Sequence, residues 1–186
     1  MTYTNSFISL FIIAIIVLIA WTTFTAHSPT TPPSLSTLPD AYMEEVVALI
    51  MDKEGKLNIK IKTPKMIHYA KNDISELSHP QLTIYRNSPQ PWLVTSKFAR
   101  ARQGVEHVDF WEEVNIHHAA DTFSPTTEIK TTKLTVYPNK QRAETDAIIT
   151  LVQPNIIVNA TGMVADMNSG DIKLLSRARG EYASGY

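Results

Sequence analysis

Leu57-Asn58-Ile59-Lys60-Ile61-Lys62 alternates apolar and polar side chains without a break. Successive residues of a strand point to opposite faces, so the stretch reads as a half-buried antiparallel strand. The same period of two returns downstream. Val108 and Phe110 alternate with His107 and Asp109, and Val114 and Ile116 alternate with Asn115 and His117. Upstream, only Ala41 to Met51 could be argued as a short helix. Its apolar run, however, leads into Asp52-Lys53-Glu54-Gly55, a turn followed at once by the opening strand, so a hairpin is expected.

An internal repeat extends this reading to most of the chain. Thr63-Pro64-Lys65-Met66 aligns with Thr95-Ser96-Lys97-Phe98, with Thr131-Thr132-Lys133-Leu134 and with Ala160-Thr161-Gly162-Met163. A turn follows each at a similar offset: Asn72-Asp73, Gln103-Gly104, Asn139-Lys140 and Ser169-Gly170. Beyond each turn lies a second apolar strand: Ile74 to Leu77, Val105 to Phe110, Ala143 to Ile149 and Ile172 to Leu175. A strand-turn-strand unit repeated about every 30 residues cannot bury its own apolar face, so the units must stack. Pro80, Pro89, Pro91, Pro125 and Pro154 fall between paired strands, where no ladder hydrogen bond is lost. The expected fold is all-β, an open roll of stacked antiparallel hairpins with an aliphatic interior and two strand edges open to pairing.

The first 39 residues obey different rules, for the first charged side chain is Asp40. Phe7 to Phe24 is apolar apart from Ser9, Thr22 and Thr23, close to the roughly 20 residues that span a hydrocarbon core. Trp21 sits where an interfacial aromatic would. A cleaved signal would need a basic start and a small residue at the cleavage site. No Lys or Arg precedes this segment, and Phe24 occupies the small-residue place, so an uncleaved transmembrane helix over residues 7–26 is expected after a short tail, 1–6. Residues 27–39 form a proline-rich linker, and 40–186 the β domain.

Composition excludes several chemistries. With 17 Lys+Arg against 18 Asp+Glu there is no electrostatic footprint for nucleic acid. Cysteine is absent, which removes disulfides, thiolate metal sites and catalytic thiols. No nucleophile elbow or phosphate loop occurs. His117-His118 and the pairs Glu44-Glu45 and Glu112-Glu113 are strand neighbours that point apart, so they read as surface positions; no metal or cofactor is expected. Asp166 to Asp171 is too short for a calcium loop and reads as a hairpin turn. An enzyme is not expected.

Short stretches along the chain carry a family resemblance. Asp52-Lys53-Glu54-Gly55-Lys56-Leu57, Ser75-Glu76-Leu77-Ser78-His79-Pro80-Gln81-Leu82, Pro91-Trp92-Leu93-Val94 with Ala99, and Gly162-Met163 with Leu174 to Tyr182 resemble, in order and spacing, the LptC family of lipopolysaccharide export. Trp111-Glu112-Glu113-Val114 departs from it, standing where many members carry Gly-Val. The resemblance implies a single-pass protein of the inner membrane of a Gram-negative cell, with its bulk in the periplasm. It would accept lipopolysaccharide from an ABC transporter of LptB, LptF and LptG and hand it to LptA. Acyl chains would lie against apolar members of the alternating sets: Leu49, Ile59, Ile61, Leu77, Leu82, Ile84, Val94, Phe98, Val108, Val114, Leu134, Val136, Ile149, Val158, Met163 and Leu174. Core packing explains each equally well. The C-terminal strand, with Ile172, Leu174, Leu175, Ser176, Arg177, Ala178 and Arg179, would pair with the LptA-like partner. The helix and N-terminal edge would face the transporter, and a homodimer through the edges stays open. The rival is an anchored periplasmic scaffold that binds no lipid.

Overall fold

The computed structural model describes residues 38–85, 90–122 and 124–182. The expected transmembrane helix, and all but the last two residues of the linker, lie outside them. Among the described residues no helix is long and apolar enough to cross a membrane.

Eleven strands form one antiparallel sheet. They are β1 (Ala41–Met51), β2 (Leu57–Tyr69), β3 (Ile74–Ser78), β4 (Gln81–Ile84), β5 (Trp92–Thr95), β6 (Phe98–Arg102), β7 (His107–His118), β8 (Thr127–Tyr137), β9 (Arg142–Gln153), β10 (Ile156–Asp166) and β11 (Ile172–Tyr182). The Ala41 to Met51 segment is a strand, paired through the Asp52 turn to β2. Asp52 Oδ1 accepts the N–H groups of Glu54 and Lys56, and Gly55 takes a positive φ of 77°, so the turn residues supply what a tight reversal needs. At the other end, Asp166 Oδ1 accepts the N–H groups of Asn168 and Ser169 in the β10–β11 turn.

A crease crosses the sheet at mid-strand. Register shifts lie between Trp111 and Val114 in β7, between Thr131 and Thr135 in β8, between Thr161 and Met163 in β10, and on β10–β11 between Asn159 and Thr161. Positive φ values collect there: Glu45 at 51°, His79 at 50°, Glu112 at 59°, Glu113 at 54°, Gly162 at 76° and Arg177 at 50°. Where the register shifts as well, at Trp111–Val114 and Asn159–Met163, the strand carries a bulge that bends it. β3 and β4 run in one direction and are interrupted only by His79-Pro80, while β5 and β6 are interrupted only by Ser96-Lys97. They amount to two further strands, severed at the crease.

The crease divides the sheet into two walls. In the first, the inward row runs Met43, Met66, Leu77, Ala99, Phe110, Leu134, Thr145, Met163, Leu174. In the second it runs Ala48, Ile61, Leu82, Val94, Ile116, Ile129, Leu151, Val158, Gly180. Most of both rows is buried, while the alternate residues are half-buried or exposed. One face of a single-layer sheet is dry only when something covers it, and here each wall covers the other. The sheet is folded along its crease into a roll.

The repeated Thr motif is the mark of that crease. Thr63 Oγ1 lies 2.8 Å from the carbonyl oxygen of Lys65, Ser96 Oγ lies 2.6 Å from that of Phe98, and Thr131 Oγ1 lies 3.4 Å from that of Lys133. Thr63 and Thr131 also reach across to the carbonyls of Ser78, at 2.7 Å, and Ile148, at 2.9 Å. A hydroxyl thus meets backbone acceptors at the place where the bulge disrupts the ladder. The structural counterpart of Thr63 is Ser96, one residue beyond the Thr95 to which the sequence alignment matched it.

Candidate lipid-binding interior and docking edges

Ile59, Ile61, Leu77, Leu82, Ile84, Val94, Val108, Val114, Leu134, Val136, Ile149 and Met163 all lie in the buried core. Val158 and Leu174 point inward nearer the open end of the roll and pack against that core half-buried. Two expectations are corrected. Phe98 is 37 % exposed on the outer face, stacked on Trp111 with ring centroids 6.0 Å apart. Its inward neighbour is Ala99, because the repeat aligns on Ser96. Leu49 is 52 % exposed, and the inward residues of β1 are Ala48 and Ile50. β1 is apolar on both faces from Val46 to Met51, so alternation carries no parity there.

The expectation that both adjacent histidines are surface residues fails for His118. It is buried, its ring lies 4.5 Å from that of Trp92, and its Nε2 is 3.6 Å from Asp121 Oδ2. The parity of Val114 and Ile116 already pointed His118 inward. It joins Thr127 and Gln153, whose Nε2 donates to Thr127 Oγ1 at 2.9 Å, in a polar corner at the far margin of the second wall. Apart from this corner and the hydroxyls of Thr63, Ser96, Thr131 and Thr145 along the crease, the buried interior is apolar, and Ile59, Ile84, Val94, Ile129, Val136 and Ile149 are wholly inaccessible. Neighbouring side chains fill the space at these positions.

Apart from the Asp121 carboxylate, buried beside His118, the ion pairs lie on the outside or at its margin. Glu76, Arg100 and Asp109 stand in register across β3, β6 and β7, with Arg100 Nη2 2.7 Å from Glu76 Oε1. Two ion pairs bridge neighbouring strands at the crease: Lys97 with Glu113 at 2.7 Å and Lys133 with Asp146 at 2.7 Å. The hydrogen bond to Glu113 raises the pKa of Lys97, and that from Lys133 lowers the pKa of Asp146. An open pocket of about 320 Å³ at the crease is lined by both polar and apolar side chains, among them Glu144, Thr145, Asp146, Met163 and Leu175. Among the described residues no group of three or more acidic or histidine side chains could hold a metal ion.

Both ends of the sheet are single-sided. β1 pairs with β2 alone and β11 with β10 alone among the described strands. Of the expected docking residues, Ile172 and Leu174 tuck inward half-buried, while Leu175, Ser176, Arg177, Ala178 and Arg179 are exposed.

A folded antiparallel sheet with a largely apolar interior and an end strand paired on one side only at either end defines an open β-roll. The chain belongs to the family described as lipopolysaccharide-assembly, LptC-related, whose model matches residues 7–183. That membership gives it a role in lipopolysaccharide transport. In fold it is similar to the crystal structure of LptH, the LptA-homologous periplasmic component of the lipopolysaccharide transport device from Pseudomonas aeruginosa, with a TM-score of 0.54 and 9 % identity over 67 % of this chain and 94 % of that one. No curated protein matches the sequence.

Proposed function

We propose that this chain is a membrane-held relay that takes lipopolysaccharide from an ABC transporter of LptB, LptF and LptG and passes it to an LptA-like periplasmic protein. The single observation that carries the reading is the predominantly aliphatic inner face of both walls, on a roll whose ion pairs, His118–Asp121 apart, lie outside. Residues 7–26 hold the roll to the inner membrane, and residues 27–39 space it from the bilayer. Acyl chains enter by parting the walls at their free margins. Side-chain contacts across the interior are then exchanged for contacts with methylene groups, an apolar-for-apolar swap that costs little hydrophobic free energy. Sugars and phosphates stay in water. The reaction needs no catalytic group, so none is assigned.

A photo-reactive side chain at Leu82, Ile84 or Val136 captures lipopolysaccharide in this reading, and one at Thr83 or Thr135, on the outward parity, does not. Equal labelling at both parities removes the interior site. The wholly inaccessible core residues favour one second reading, an anchored scaffold whose interior never opens. Under that reading no position is labelled.

A further inference from the structure

Large apolar side chains left in water collect at the start of the sheet. Of the ten such residues among those described, five fall between Leu38 and Met51. Three of them, Val47, Leu49 and Met51, are each more than half exposed and form one column on the outer face of the second wall. The next column, on β2, is lysine: Val47 stands opposite Lys62 and Leu49 opposite Lys60. Lys53 and Lys56 in the hairpin turn extend it, with only Asp52 and Glu54 to offset the four. Lys97, Lys130 and Lys133 are held in ion pairs, whereas none of these four is among the described residues.

The lysines do not serve to guard an open edge. Edge-protecting charges sit on the edge strand itself, and β1 carries no lysine. A second copy set face to face on the column would bring lysine against lysine, an unfavourable juxtaposition. The first-wall half of β1 offers no comparable face, for Tyr42 donates to Glu44, lies under Lys65 and is followed by two carboxylates. An apolar stripe with a row of lysines beside it matches the boundary of a bilayer, where acyl chains give way to anionic headgroups. The tether suits this partner too. Residues 27–39, as an extended proline-rich chain, reach about 40 Å. From Asp40 to Met51 is about 37 Å of strand, so the linker is long enough to run back along β1 and leave the column at the membrane. Three side chains make a weak contact, but a tethered domain meets the surface at high effective concentration, and a weak contact suffices.

We propose that the second-wall half of the β1–β2 hairpin rests on the phospholipid surface of the membrane that holds the chain. Val47, Leu49 and Met51 enter the boundary between headgroups and acyl chains, and Lys53, Lys56, Lys60 and Lys62 meet anionic headgroups. The proposal rests on the reading of residues 7–26 as an anchor and adds a second, reversible contact that orients the roll. Only the outer face of the hairpin is used. The backbone edge of β1 and the interior of the roll stay free, with the first strand laid beside the bilayer.

The chain has no cysteine, so a single introduced thiol carries a label cleanly. Full-length Leu49→Cys and Ile157→Cys are each labelled with nitrobenzoxadiazole. Ile157 is an exposed apolar residue of the same outer face, on β10, about 34 Å away along the sheet. Each protein is reconstituted in vesicles of phosphatidylethanolamine with a quarter phosphatidylglycerol, carrying a shallow doxyl-labelled phospholipid as quencher. The Leu49→Cys probe is expected to emit at shorter wavelength and to be quenched about twofold more than the Ile157→Cys probe. Lys60→Glu with Lys62→Glu, in protein of native circular dichroism, shrinks that difference, and vesicles of phosphatidylcholine alone shrink it without any substitution. Equal quenching at the two positions overturns the proposal. So does a shift at Leu49→Cys that grows with protein density and brings no quenching, because a second copy then covers the column. Retention in the vesicles after an alkaline wash reports the anchor by itself. Release overturns the anchor and the proposal together, whereas retention with equal quenching overturns the surface contact alone.

Discussion

Gly162 and Leu175 pack so closely that a methyl group added to the glycine would lie 2.9 Å from Leu175 Cδ1. It would also lie 3.3 Å from the backbone oxygen of Thr145, while the glycine itself sits at φ 76°. Gly162→Ala therefore meets both a clash and a conformational penalty. The expected loss is about 1–3 kcal/mol in urea unfolding. Leu175→Ala added to it relieves the Cδ1 contact but leaves Leu175 Cβ at 3.2 Å and the Thr145 oxygen at 3.3 Å, so the double variant stays below the native protein. Full recovery would mean that neither the backbone conformation nor these remaining contacts carry strain.

Glu112 poses the reverse case. It occupies φ 59° without being a glycine, in the Trp111-Glu112-Glu113-Val114 bulge. Glu112→Gly is expected to stabilise the roll by up to about 1 kcal/mol, since the left-handed conformation is free to glycine. Glu113→Gly relieves similar strain but removes the partner of Lys97, so its gain is smaller. Matched urea titrations of the two variants decide the order.

The Lys133–Asp146 pair makes the crease acid-sensitive in a defined sense. The Asp146 carboxyl is held below its ordinary pKa by the lysine, so its contribution is full above the ordinary carboxylate range and fades as pH falls through the lowered value. The stability difference between native protein and Lys133→Gln should accordingly be small at neutral pH, because both groups are exposed, and vanish in acid. Added salt should shrink it as well. A difference that grows on acidification would contradict the assignment.

Trp92 anchors the polar corner. It is 4 % exposed and lies against His118. Trp92→Ala should destabilise by about 3–5 kcal/mol, and Trp92→Phe by much less, as followed by far-ultraviolet circular dichroism. A loss under about 1 kcal/mol for the alanine variant would show that the corner is not a packed part of the interior.

The roll was largely legible because its strands alternate cleanly and its turns carry Asp, Asn and Gly. The Thr-x-Lys repeat was visible too, but its meaning was not. Only the hydroxyl contacts of Thr63, Ser96 and Thr131 reveal it as a bend, and a one-residue slip at Thr95 turned Phe98 to the wrong face. Leu49 escaped for a different reason: an edge strand apolar on both sides gives no parity. His118 was in plain sight by alternation, and was passed over because a histidine on an inward parity needs a partner, Asp121, that lies beyond the strand.

The severed strands give the roll an uneven stiffness. From β7 to β11 every chain runs uninterrupted from one wall into the other, like a binding sewn through each page. Between β2 and β7 the backbone crosses only at His79-Pro80 and Ser96-Lys97, where it is tacked by His79 N–H to Lys97 O at 2.6 Å and Lys97 N–H to Glu112 O at 2.9 Å. A force that spreads the covers is borne by continuous strands at β1, β2 and β7 to β11, and by two short links between them. Opening therefore begins where the links are short, at the severed strands between β2 and β7, and the sewn spine from β7 to β11 yields last.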